Sequence, residues 1–183
     1  MALTALIYTF EVQLSHVDRG VYETLSFKAA QHPSETSEYL VARVLAYCLE
    51  YREGIAFSRG LAEPDEPAIS IRDLTGALQA WIEIGAPDPA RLHKASKASP
   101  RVAIYLHKDP RSWLGGLERE RIHKREAIEV YTIDRELIDA LKDRLDRRMK
   151  LEITVTDGQL YVVVAGETLT GSLTRVALQA PPR

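Results

Sequence analysis

The sequence predicts a mixed α/β (α+β) fold, a sandwich built on a mixed sheet, and three observations predict it. Apolar residues recur at period two in several short runs, such as Leu6, Tyr8, Phe10, Val12 and Leu14, which is the strand pattern. Two other segments carry apolar stripes at helical spacing: Leu40, Val41, Val44, Leu45 and Cys48, then Leu137, Ile138, Leu141 and Leu145. Between Pro33 and His107 these elements follow the order helix, strand, strand, strand, helix, strand, and such an order packs helices on a sheet. At 183 residues the chain is expected to form a single domain, 1–183, with its core at 33–107. An N-terminal hairpin at 2–30 and a C-terminal α/β extension at 110–179 add further strands to it.

The elements follow from local chemistry. Ala2 to Leu14 and Val21 to Ala29 read as a hairpin around Asp18-Arg19-Gly20. Ser34 is the expected N-cap of a helix reaching about Tyr51, with Gly54 stopping it. Ile55 to Arg59 is a short strand, and Arg101 to His107 is an apolar one suited to burial. A helix is expected over Asp109 to His123, a strand at Ala127 to Ile133, and a helix capped by Asp134 and running to about Arg148. Leu151 to Val155 and Leu160 to Val164 flank Asp157-Gly158, a hairpin signal, and Leu169 to Leu178 is a further strand.

The stretch from Glu63 to Ser99 organises the functional reading. An acidic cluster, Glu63, Asp65 and Glu66, is broken by Pro64 and Pro67 and followed by a strand, a Thr75-Gly76 turn and a second strand ending Trp-Ile-Glu-Ile-Gly. Alternation places Trp81, Glu83 and Gly85 on one face, so Glu83 is a carboxylate inside an apolar strand. If Thr75 and Gly76 form the loop, Glu83 faces Ala68 and its diagonal neighbour on the same face is Glu66. A bulge beside the prolines would bring Asp65 there instead. A short helix after Pro87 then supplies Arg91, Lys94 and Lys97.

Composition restricts the classes. A net charge of −2 gives no global attraction for polyanions, so nucleic acid would need a local basic patch. No run reaches the length of a spanning helix and the start lacks a secretory pattern, so a cytoplasmic protein with no membrane partner is expected. The single cysteine, Cys48, lies on an apolar stripe and is expected to be inert packing. A monomer is the default.

Several motifs together carry a resemblance: HPSET at His32 to Thr36, FSRGL at Phe57 to Leu61, DEP at Asp65 to Pro67, DLTGA at Asp73 to Ala77, and WIEIG at Trp81 to Gly85. With the P-D-x-x-R-x-x-K that follows from Pro87 to Lys94 and the MALTALIY start, they resemble the bacterial YaeQ family over nearly the whole chain. The resemblance implies a variant of the PD-(D/E)XK nuclease-like fold, whose restriction-endonuclease-like αβββαβ core has the order read above. It also implies a catalytic set of Glu38, Asp65 or Glu66, and Glu83, to which Lys94 from the following helix would restore the lysine's charge. Of these, Asp65, Glu66 and Glu83 would ligate Mg²⁺ or Mn²⁺, while Arg91 and Lys97 would contact substrate. The superfamily's lysine, two residues after the second acid, is replaced here by Gly85.

Carboxylates crowded at a strand edge repel one another unless a cation joins them, and all-oxygen sites suit Mg²⁺ or Mn²⁺. A metal-dependent phosphodiesterase or nuclease site is the first expectation. The same residues have bland readings: Glu83 as an ion pair with Lys94 or Arg91, Asp65 and Glu66 as a solvated loop, Asp73 as a turn residue, and Glu38 as a first-turn surface glutamate. A second expectation is therefore a non-catalytic module for nucleic acid or transcription machinery. It would use Lys94, Lys97, Arg101, Lys108 and Arg111, with Arg119, Arg121, Lys124 and Arg125 further on.

Overall fold

The computed structural model describes residues 4–59 and 65–178. Glu63 and Pro64 of the acidic cluster, the first residues of the N-terminal strand and the Pro181-Pro182-Arg183 tail lie outside the described residues. The architecture is mixed α+β, with four helices and ten strands among the described residues. The chain resolves into two compact units, one holding residues up to Leu49 together with Ile133–Leu173, the other Glu50–Thr132 and the stretch from Thr174.

In the first unit, β1 (Leu6–His16) and β2 (Val21–Gln31) pair antiparallel, from Leu6 opposite Gln31 to His16 opposite Val21. Gly20 at φ 65 closes the connection. The other edge of β1 pairs parallel with β8 (Arg148–Thr156), which continues antiparallel to β9 (Gln159–Val164), and β9 to β10 (Glu167–Val176). Alternation buries Tyr8, Phe10, Val12 and Leu14 on one face and leaves Glu11 and Gln13 on the other. Helix α1 (Ser37–Leu49) packs against β2 and against α4 (Arg135–Lys142). Cys48 is fully buried, and burial pushes its thiol up to about 12, so it is packing and not a nucleophile.

Two caps differ from the sequence expectation. Thr36 caps α1, its Oγ1 accepting from Tyr39 N at 3.2 Å, while Ser34 is turned to the His32 ring. Asp134 precedes α4 without a capping bond, because its Oδ2 accepts from Ser172 N at 2.8 Å instead. Helix α4 stops at Lys142, and Arg148 already belongs to β8.

The second unit is a sheet in the order β3 (Ile55–Phe57), β4 (Ile69–Arg72), β5 (Leu78–Ile84), β6 (Val102–Leu106), β7 (Glu129–Ile133). The first three strands run antiparallel and the last pairs run parallel. Helix α2 (Pro89–Ala98) makes the crossover between β5 and β6, with Asp88 as N-cap and Pro89 at its first position, as the sequence pattern requires. Trp81, Leu92, Ala95, Val102, Ile104, Leu106, Leu117 and Val130 form the core on one sheet face, so α2 and α3 (Arg111–Leu117) cover that face. Among the described residues no helix is long and apolar enough to cross a membrane.

Candidate functional site

The β4–β5 hairpin positions the site. Ile69 pairs with Ile82 and Ser70 with Trp81, so the register is the one expected from a Thr75-Gly76 loop, although the turn is longer and a bulge lies between Ile71 and Arg72. Asp73 is a turn residue. Its Oδ1 accepts from Thr75 N, Thr75 Oγ1 and Ala77 N, its Oδ2 accepts from Gln79 Nε2, and these bonds hold its carboxyl below the ordinary value.

Glu83 is only 5 % exposed, and its Oε1 is heavily used. Trp81 Nε1 donates to it from two residues back on the same strand face. Arg91, from the first turns of α2, donates through Nε at 2.8 Å and also brings Nη2 to 2.8 Å. The guanidinium lies over the Trp81 ring, 5.6 Å from its centroid. Burial pushes the Glu83 carboxyl above its ordinary value, and the bond and charge of Arg91 and the Trp81 N–H only partly offset that. Glu83 therefore takes up a proton more readily folded than unfolded. Its contribution to stability is greatest at low pH and falls as pH rises above about 4.5, the ordinary glutamate value.

The acids of the preceding loop come to the same region by different atoms. Arg91 Nη2 also donates to the Glu66 carbonyl at 2.8 Å, so one guanidinium joins the Glu83 strand to that loop. The Glu66 carboxylate turns away and accepts from Arg59 N at 3.4 Å. Asp65 pairs with Lys94, and both side chains are largely exposed, so the pair is worth about 0–1 kcal/mol. Lys97, one turn beyond Lys94, is exposed. Glu38 belongs to the first unit, where Lys142 Nζ sits 3.3 Å from its Oε1.

These residues do not fit a divalent metal as arranged. Glu83 Oε1 already receives three N–H groups, and Asp65 and Glu66 point their carboxylates at Lys94 and at the Arg59 backbone N, so the three carboxylates do not face a common point. Among the described residues no group of three His, Cys, Asp or Glu side chains stands at metal-holding spacing.

Gly85, where the resemblance implies a lysine, has φ +83, a conformation that side-chain-bearing residues rarely adopt, and its N–H donates to Tyr105 O at 2.9 Å. A lysine at this position would be strained. Gly85→Lys is expected to lose about 1–2 kcal/mol of stability and to confer no metal-dependent cleavage, checked by urea denaturation alongside a nuclease assay.

Sequence reasoning missed a second cluster on the opposite face of the same sheet. Arg101 donates from Nη1 and Nη2 to both oxygens of Glu50 at 2.7 and 2.9 Å, and from Nη2 and Nε to Glu129 at 2.7 and 3.1 Å. Tyr105 OH donates to Glu50 at 2.6 Å and Tyr131 OH to Glu129 at 2.9 Å. Burial and the adjacent Glu50 carboxylate push the Tyr105 phenol well above its ordinary range. Burial disfavours the Arg101 charge, but its bonds to Glu50 and Glu129 outweigh that and hold its pKa above the free value. Only the Glu129–Tyr131 alternation hinted at this cluster; the parallel pairing that sets Ala103 beside Glu129, leaving room for the Arg101 head, is not readable locally.

The family model described as YaeQ protein matches residues 1–173. A YaeQ protein of Salmonella typhi is 31 % identical over 175 residues, covering 95 % of this chain and 97 % of that protein. One of Escherichia coli K12 is 31 % identical over 88 % of this chain and 90 % of its own length. Among solved structures, the crystal structure of the Pseudomonas syringae YaeQ protein superposes with a TM-score of 0.84 at 29 % identity, covering 94 % of this chain and 96 % of that one. That of Xanthomonas axonopodis pv. citri gives 0.82 at 32 % identity, covering 97 % and 100 %. This chain belongs to the YaeQ family.

Proposed function

We propose that this protein keeps a nuclease-like frame, with the restriction-endonuclease-like αβββαβ order, as a non-catalytic module that binds nucleic acid. The observation that carries the reading is the state of Glu83, whose Oε1 is taken by Arg91 and Trp81 in a buried setting. The basic surface is smaller than the sequence suggests. Arg101 is held by Glu50 and Glu129, Arg111 by Asp109, and Arg125 is buried against the Leu117 and Glu120 carbonyls. Lys97, Lys108, Arg119, Arg121 and Lys124 remain exposed for phosphate contacts. Fluorescence anisotropy with labelled DNA and RNA oligonucleotides tests this. Affinity should fall with salt at a log–log slope of about −2 to −4, near 0.9 per phosphate contact, and be lost in Lys97→Glu/Arg119→Glu/Arg121→Glu. Salt-independent affinity, or none, would overturn the reading.

A second reading, a phosphodiesterase using Mg²⁺ or Mn²⁺ at Asp65, Glu66 and Glu83, is favoured by one observation: Arg91 touches both the Glu83 carboxylate and the Glu66 carbonyl, so the acid-bearing segments meet at one guanidinium. It requires Arg91 to leave Glu83. Metal-dependent cleavage by the wild-type chain that vanishes in Glu83→Ala would establish it and displace the first reading.

A further inference from the structure

We infer that the Arg91 guanidinium is a built-in cation that performs the structural work a divalent metal would perform, neutralising Glu83 and tying its strand to the loop that carries Asp65 and Glu66. The inference rests on reading the Glu83 site as non-catalytic. A divalent cation at such a place would draw together a carboxylate from β5 and oxygen atoms from the preceding loop. Arg91 makes that set of links with N–H groups: Nε and Nη2 on Glu83 Oε1 at 2.8 Å, and Nη2 on the Glu66 carbonyl at 2.8 Å.

The cation is fixed from behind. Asp88 Oδ1 accepts from the backbone N of Arg91 at 2.7 Å as the N-cap of α2, and Trp113 Nε1 donates to the Pro87 carbonyl at 2.7 Å. The Trp81 ring lies beneath the guanidinium and its own N–H completes the coverage of Oε1. A planar fork whose charge persists at any working pH is suited to this role, because it neither exchanges with solvent nor depends on metal supply. Unlike a metal, it activates no water, so the site is locked in an inert state.

Removing only the guanidinium should expose the latent site, because a buried carboxylate and a backbone carbonyl would then face a space with no charge to balance them. Arg91→Ala is expected to bind one Mn²⁺ at least about ten-fold more tightly than wild type by calorimetry and electron paramagnetic resonance, a difference easily resolved on either titration. Arg91→Ala/Glu83→Gln should lose that gain, and Arg91→Lys, which keeps a cation, should not show it. If Arg91→Ala needs metal to fold, recovery of its circular dichroism in millimolar Mn²⁺ supports the inference, and failure to recover overturns it. A folded Arg91→Ala chain that binds Mn²⁺ no better than wild type also overturns it, while leaving the non-catalytic reading intact; metal-dependent cleavage by wild type would instead remove that reading.

Discussion

Arg101→Leu is expected to destabilise the protein by about 3 kcal/mol or more, because it strips the cation from two carboxylates that remain largely buried. Glu50 and Glu129 side chains are 7 % and 22 % exposed, so water replaces little of the lost bonding. Urea denaturation would read the loss as a lower midpoint with an unchanged slope. The pH dependence provides a sharper mark. Burial works against the Glu129 charge, but the bond and charge of Arg101 hold its carboxyl below the ordinary value, a stabilisation present at neutral pH and lost as pH falls, so the variant's stability deficit should be largest at neutral pH and shrink as pH is lowered. Arg101→Leu/Glu50→Leu should recover part of the loss and not all of it, since it removes the more buried of the two stranded carboxylates and leaves Glu129 without its cation.

Gly54→Ala is expected to be nearly as damaging, for a backbone reason. Gly54 has φ +86, and a Cβ placed there would sit 1.9 Å from the Arg72 carbonyl oxygen. Gly54 O also accepts from Arg72 N at 3.0 Å, so the close approach extends the β3–β4 ladder that begins at Ile55 opposite Ile71. The left-handed conformation alone costs an alanine about 1 kcal/mol, and the overlap adds about 1–3 kcal/mol. For a chain of this size such a loss should lower Tm by roughly 5 °C or more in a calorimetric scan. An unchanged Tm would mean that the β3–β4 approach is not as tight as the structure has it.

Much of the fold was legible in local pattern. The hairpin register that pairs Ser70 with Trp81 follows from the turn position and alternation, and Asp157-Gly158, at φ 51 and φ 71, closes β8 onto β9 as its dipeptide requires. The strand–helix–strand order from β3 to β6 and the N-cap of α2 were readable in the same way. Capping was less legible, because Ser34 and Thr36 both satisfy the pattern and the choice depends on where His32 places its ring. The parallel pairing of β1 with β8 joins residues about as far apart in sequence as Thr9 and Arg148, and no local signal encodes it.

The candidate site was half legible. Glu83, Arg91, Lys94 and Asp65 do meet in one region of the second unit, and alternation alone put Trp81 on the Glu83 face. What the pattern could not convey is which atoms face one another. Glu66 brings its carbonyl to Arg91 and its carboxylate to Arg59, and Arg91 satisfies Glu83 from within. Residue types specify charges; the backbone path through Pro67 and the N-cap at Asp88 decides whether those charges pair or converge on a common point.

The central claim, that Glu83 is neutralised by Arg91 and not by a metal ion, is tested most directly by soaking wild-type crystals in millimolar Mn²⁺ and measuring anomalous differences at the manganese edge. The account predicts no peak near Glu83, with the Arg91 guanidinium still in contact with Oε1. A strong peak bridging Glu83 and Asp65, with Arg91 displaced, would contradict it.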